Sequence, residues 1–301
     1  MYIYGGRNMR QLSKIRAHKK AVNRILEGPA GSLLTASSDG TVKLWSQPSL
    51  QEGTAESVQT FEGHLLPVAA LDLVEEWGSA GEVQASAALV TGSRDCSVML
   101  WDVSTGRSLQ KNKILRNVVT ALRRVPQPSA AAGAIVQASE DLQLRLWDTR
   151  QGLLKGPAAA VRAGPNQLIC LDTTEDGNYV ACGSKGFSRE NCEVKVFDLR
   201  AGLRELHALP SADQTIEALV CRGNDRCLTA SKDGHVRVLS LPSPKILVEH
   251  RSQKIGSAGY TALGVNKTAL CAWVGPEGVG LELLDWRDAE LLSPPVVVAT
   301  T

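Results

Sequence analysis

The chain has 301 residues, 43% of them hydrophobic and 21% charged, and its 33 basic and 31 acidic residues leave a formal net charge of +2. That is the composition of a globular protein with a core, and it excludes bulk electrostatic attraction to nucleic acid or to a membrane surface. At about 150 residues per domain, the length allows two ordinary domains or one large closed architecture.

Met1-Tyr2-Ile3-Tyr4 and Gln11-Leu12-Ser13-Lys14-Ile15-Arg16 open the chain as two short strands. The order of these residues is not that of a secretory leader. After them one pattern recurs: an apolar pair, a small residue, Ser, a variable residue, Asp, then alternation up to a closing residue. It runs from Leu33 to Trp45 through Ser37 and Asp39, from Leu89 to Trp101 through Ser93 and Asp95, and from Ile135 to Trp147 through Ser139 and Asp141. A fourth copy, Cys227 to Leu239 through Ser231 and Asp233, closes on Leu. Weaker copies end at Val196-Phe197-Asp198 and Leu283-Leu284-Asp285. Each unit alternates with period two around an Asp-Gly-like turn, the signature of a hairpin flanked by strands. No window shows sustained helical periodicity. Insertions are expected in loops at Glu75 to Ser86, Gln127 to Gly133 and Lys185 to Asn191, where chain closure costs little entropy. Apolar runs break well before the roughly 18 residues of a membrane helix, so no membrane insertion is expected. The seven cysteines form no Cys-x-x-Cys pair, which indicates neither a zinc site nor a disulfide framework and favours a reduced, intracellular chain.

Strand-rich units of about 40–45 residues that close on Trp-Asp resemble the WD-repeat β-propeller family. The resemblance implies an all-β fold of six complete four-stranded blades plus a partial seventh. Residues 1–16 are then partial N-terminal blade strands, 17–292 six WD-type repeats, and 293–301 a tail or closing strand of a single domain. It also implies a buried hydrogen-bond chain in the better blades: His18, Ser37, Asp39 and Trp45 in the first, and His64, Ser93, Asp95 and Trp101 in the second. The third keeps Ser139, Asp141 and Trp147 but has Leu115 where His is expected, so its chain is expected to be shorter. Ser, His and Asp together also suit a catalytic triad, yet their recurrence in register is what a repeat scaffold requires. No nucleophile elbow, phosphate-binding loop or metalloprotease motif is present. No catalysis, cofactor, metal or nucleic acid is therefore expected.

In this fold the connections into the first strands and the central hairpin turns emerge on one face. Those positions hold Lys19, Lys20, Arg94, Arg116, Lys185, Arg189 and Lys232, with Leu65, Leu66 and Phe187 as apolar anchors. Such a face is expected to receive an acidic protein segment or a phosphorylated partner. Ordinary solvated turn charges are the competing reading. Some segments resemble a cilia-associated branch of the family, chiefly Arg116-Asn117-Val118-Val119-Thr120 and the enlarged turn around Gly186-Phe187. That resemblance implies a cytoplasmic, ciliary or flagellar scaffold, with axonemal or ciliary-transport proteins and GTPase regulators as partners. The alternative is a substrate-recognition propeller of a ubiquitin ligase or a histone-peptide reader.

Overall fold

The computed structural model describes residues 2–5, 10–52, 56–74, 87–252, 255–256, 258–265, 268–275, 278–285, 287, 292 and 296–298. The insertion expected at Glu75 to Ser86 lies outside the described residues. Strands β1 (Tyr2–Gly5) and β2 (Arg10–Lys14) pair with each other in a two-stranded sheet. Six four-stranded sheets follow, each ordered as in the sequence. The first contains β3 (Val22–Glu27), β4 (Leu33–Ser37), β5 (Thr41–Trp45) and β6 (Gln59–Glu62), with the short helix α1 (Gln47–Glu52) between β5 and β6. The second contains β7 (Val68–Val74), β8 (Ala88–Ser93), β9 (Ser97–Asp102) and β10 (Ser108–Lys113). The third contains β11 (Val119–Arg124), β12 (Ala134–Ser139), β13 (Gln143–Asp148) and β14 (Ala159–Arg162). The fourth contains β15 (Leu168–Thr173), β16 (Tyr179–Ser184), β17 (Glu193–Asp198) and β18 (Arg204–Pro210). The fifth contains β19 (Ile216–Arg222), β20 (Arg226–Ser231), β21 (His235–Ser240) and β22 (Lys245–Arg251). The sixth contains β23 (Tyr260–Val265), β24 (Ala269–Gly275), β25 (Gly278–Leu284) and β26 (Val296–Val298). These are the six blades of a β-propeller.

Both ends of the chain add strands. The N-terminal strands make a small two-stranded sheet of their own. The tail supplies the outer strand of the sixth blade, where Val296, Val297 and Val298 pair with Leu281, Gly280 and Val279.

The second strands β8 and β12 are buried at every residue, whereas every residue of the outer strands β10 and β22 is exposed or half-buried. A strand covered on both faces needs an apolar run, and an edge strand needs only one apolar face. Each blade also carries a bulge near the start of its first strand, at Val22/Arg24, Val68/Ala70, Val119/Ala121, Leu168/Cys170, Ile216/Ala218 and Tyr260/Ala262. A bulge adds local twist and re-aims the residues after it. The closing residues Trp45, Trp101, Trp147, Phe197, Leu239 and Leu284 are all buried.

The chain forms two compact units. One comprises residues 1–124, 133–141 and 145–160, and the other residues 125–132, 142–144 and 161–301. In the first unit, Phe61 meets Trp101 edge to face at 5.9 Å, which packs the outer strand of one blade against the third strand of the next. In the second, Val236, Val238, Tyr260 and Trp273 share one apolar cluster.

Candidate functional site

The second blade holds the most complete polar chain. Trp101 Nε1 donates to Thr91 Oγ1 at 2.8 Å, and Thr91 Oγ1 lies 2.7 Å from His64 Nε2. A threonine hydroxyl has one proton. The Asp95 carboxylate only accepts and lies 3.2 Å from Nδ1, so Nδ1 carries the imidazole proton and the Thr91 hydroxyl, which accepts from the indole, donates to Nε2. Burial pushes the His64 pKa below its ordinary value despite the pull of Asp95, so the ring is neutral. Burial works to raise the Asp95 pKa, but donors from Ser97, the Leu65 N–H and His64 hold it at about 2. The carboxylate thereby anchors the backbone of the loop that carries Leu65, at 2.9 Å.

The first blade repeats the arrangement. Trp45 Nε1 donates to Thr35 Oγ1 at 2.9 Å, Thr35 reaches His18 Nε2 at 2.8 Å, and His18 Nδ1 lies 3.1 Å from Asp39 Oδ2. Asp39 also accepts from the Lys19 N–H at 3.0 Å and from Thr41 Oγ1 at 2.7 Å. Against the desolvation penalty, Thr41, the Lys19 N–H and His18 keep its pKa at about 2.

The hydroxyl between ring and indole is therefore Thr35 or Thr91, not Ser37 or Ser93. The serines do other work. Each accepts the N–H of its hairpin aspartate at 3.1 Å, and each donates to a loop carbonyl, Lys20 O at 3.5 Å and Leu66 O at 3.0 Å. The available signal was a polar residue ten positions before the closing Trp, inside an otherwise apolar strand.

The third blade departs further from the expected chain. Leu115 is 82% exposed, and the place left by His is filled by the buried Asn117. Trp147 Nε1 donates to Gln137 Oε1 at 2.7 Å, and Gln137 Nε2 donates to Asn117 Oδ1. Arg145 Nη1 then bridges Asn117 Oδ1 at 3.0 Å and Ser139 Oγ at 2.8 Å, while both guanidinium nitrogens meet the Asp141 carboxylate. The chain is longer than expected, and an arginine replaces the imidazole. In the fifth blade Arg237 stands at the same place against Asp233, at 2.8 Å. In the sixth, the Tyr260 hydroxyl donates to the buried Glu282 at 2.6 Å. Among the described residues, no group of three or more His, Cys, Asp or Glu is placed to hold a metal ion.

In the first unit, the loops anchored by the polar chains are contiguous. A Cβ on Gly40 would sit 3.1 Å from His64 O and 3.6 Å from Leu66 O, which places the Lys19–Asp39 corner beside the Leu65 loop. Arg94 N donates to Pro67 O, and Ile114 N donates to Cys96 O, which brings in the loop of Leu115 and Arg116. Leu65 is 80% exposed and Leu66 50%. Lys19, Lys20 and Arg116 are exposed. Arg94 pairs with Glu140 at 3.5 Å. In the second unit, Phe187 is 73% exposed on the enlarged turn of the fourth blade, where Lys185 is also exposed. There Arg189 pairs with Asp213 at 2.7 Å, and Lys232 pairs with Glu217 at 2.9 Å. Two of that unit's three expected cations thus already have carboxylate partners. No helix among the described residues is long and apolar enough to cross a membrane.

Residues 9–46 and 55–102 match the family described as WD domain, G-beta repeat. The chain is similar to Nuclear distribution protein PAC1 of Arthroderma otae, 33% identical over 140 residues, which is 44% of this chain and 28% of the relative. It is also similar to Mitochondrial division protein 1 of Saccharomyces cerevisiae, 26% identical over 188 residues, 50% of this chain and 25% of the relative. A third relative, the Ribosome biogenesis protein WDR12 homolog of Drosophila persimilis, is 25% identical over 254 residues, 83% of this chain and 58% of that protein. The chain spans less than two thirds of the length of each of these relatives. Two segments of the chain thus match the WD domain, G-beta repeat, and the six four-stranded sheets share one strand order.

Proposed function

We propose that the chain is a non-catalytic protein-interaction scaffold, and that the loops around residues 18–20, 64–67 and 114–118 receive an acidic protein segment anchored by apolar side chains. The observation that carries this reading is the exposure of Leu65, Leu66 and Leu115 beside Lys19, Lys20 and Arg116. For none of these three cations is a carboxylate within ion-pair distance among the described residues. Contiguous exposed leucines are suited to a partner, and unpaired cations around them select an acidic one. The buried chains support the reading because they pin the backbones of Lys19 and Leu65 and so pre-form the surface.

The setting we favour is the cilium or flagellum, on the axoneme or a transport complex with its GTPase regulators. It rests on resemblance in Arg116 to Thr120 and around Phe187. The relatives found are named for nuclear distribution, mitochondrial division and ribosome biogenesis, a spread in keeping with a fold that does not itself fix function.

The test is proximity labelling of the tagged chain in a ciliated cell, with a matched K19E/K20E/R116E variant. Arg116 is chosen over Arg94 because Glu140 already partners Arg94. Enrichment of axonemal or transport proteins, lost in the variant, is the expected result. Labelling unchanged by the variant would remove the surface from the proposal. Enrichment of ligase subunits or chromatin proteins would replace the ciliary scaffold with a substrate-recognition module.

A further inference from the structure

Two cysteines of the fifth blade face each other across its first hairpin. Cys221 on β19 and Cys227 on β20 are direct register partners, and both are buried free thiols. The backbone N–H of Cys221 shows which kind of pair they form. It donates to Asp172 Oδ2 of the fourth blade at 2.9 Å, so it points away from β20. In an antiparallel ladder, residues whose N–H groups turn away from the partner strand make the non-hydrogen-bonded pair, with Cα atoms about 4.5 Å apart and side chains drawn together on one face. A disulfide spans Cα separations of about 4.4–6.8 Å. The other strand cysteines lack this geometry, because Cys170 is registered with Gly183, Cys182 with Leu171 and Cys271 with Leu263.

We propose that Cys221 and Cys227 form a latent cross-strand disulfide, a modification site that staples β19 to β20 when the chain meets a low-molecular-weight disulfide such as glutathione disulfide. The chemistry is two successive exchanges. The thiolate of one cysteine attacks a sulfur of glutathione disulfide, forming a mixed disulfide and expelling one glutathione thiolate. The second cysteine thiolate then attacks the protein sulfur of that mixed disulfide and expels the other glutathione. The two cysteines lose two electrons in all, the glutathione disulfide gains them, and the two thiol protons end on the two glutathiones. In the closed blade, burial pushes both thiols well above their ordinary pKa and leaves no room for glutathione. The exchange therefore runs on the opened hairpin, and closure then shields the product from reduction.

The experiment refolds the full chain from urea in a glutathione redox buffer and, in parallel, under full reduction. Free thiols are then blocked and the protein is digested with trypsin. Arg222 and Arg226 lie between the two cysteines, so peptides 205–222 and 227–232 stay together only through the proposed bond. The expected result is that joined pair, two hydrogens lighter than the sum of its parts. It should be absent from Cys221→Ala and Cys227→Ala, and wild type should show a higher urea midpoint when oxidised than when reduced. Incubating the folded protein in a low, sub-transition urea concentration should speed its formation. Seven free thiols after oxidative refolding, or a bond mapping to any other pair, would overturn the proposal. Cys182→Ala serves as a folding control in which the bond should persist.

Discussion

At Thr91 a single hydroxyl accepts from the Trp101 indole and donates to His64, whose tautomer is fixed by the acceptor-only Asp95 carboxylate at Nδ1. Thr91→Val keeps the shape and removes both bonds. It leaves a buried indole N–H and an imidazole nitrogen unpaired, each costing about 1–3 kcal/mol. A matching fall in unfolding free energy by urea titration is expected, with the slope unchanged. The same chains set a pH dependence. His18 and His64 have folded pKa values below the ordinary 6.5 because burial disfavours the charged ring. As pH falls through 6.5 the unfolded chain takes up protons first, so this stability is present above that pH and drains away below it. Asp39 and Asp95 drop from 3.8 to about 2 on folding. Their contribution is present above pH 3.8 and is lost as pH falls towards 2. Urea midpoints measured from pH 8 to pH 3 should decline below 6.5 and again below 4, with the first decline reduced in His18→Gln/His64→Gln.

Blades differ in how they fill equivalent places, and the differences have mechanical consequences. Ala36, Ala138 and Ala230 occupy a second-strand position where the second and fourth blades have Gly92 and Gly183. At Gly92 the reason is contact with the next blade, because an added Cβ would lie 2.3 Å from Val119 Cγ1. Gly92→Ala is expected to cost about 1–3 kcal/mol through overpacking, measurable as a lower urea midpoint. The third blade commits a charge pair to its interior. Arg145→Met leaves the Asp141 carboxylate without its guanidinium partner and should cost about 3–5 kcal/mol. Adding Asp141→Asn should recover part of that loss, and the double-mutant cycle separates the pair from its surroundings. Asp72 joins the second blade to the third by accepting the Arg124 N–H at 2.8 Å, as Asp172 joins the fourth to the fifth.

For the molecule as a whole, a net charge of +2 conceals local imbalance. In the second unit, carboxylates neutralise Arg189 and Lys232, while Lys19, Lys20 and Arg116 in the first unit remain available. Binding of an acidic partner should therefore weaken as the screening length contracts from about 10 Å at 0.1 M salt to about 3 Å at 1 M. Leu65→Ala or Leu115→Ala should weaken it by a similar factor at every salt concentration. Equilibrium binding of a partner recovered by proximity labelling, titrated across that range, checks both statements. Salt-independent binding by wild type would assign the surface to apolar contact alone.

The sequence by itself determined the repeat, its strand order and its closing residues. Period-two alternation, an Asp turn and a buried aromatic are local features of about 13 residues, and local features survive in one dimension. It also carried the exposed leucines at 65 and 66, because they sit in a loop whose neighbours belong to recognisable strands. It did not distinguish Thr91 from Ser93. Both lie on the same buried strand, and only the position of the indole shows which hydroxyl it reaches. The exchange of imidazole for Asn117 and Arg145 was hidden for the same reason, since residues 28 positions apart meet only once the strands are registered. Register also placed Val296–Val298 on the sixth blade and left the first two strands to pair with each other. Strand pairing is a long-range choice, and its hydrogen bonds carry no trace in the residues that make them. The tertiary structure alone turned the Cys221 N–H towards Asp172 and set Cys221 opposite Cys227 in the ladder.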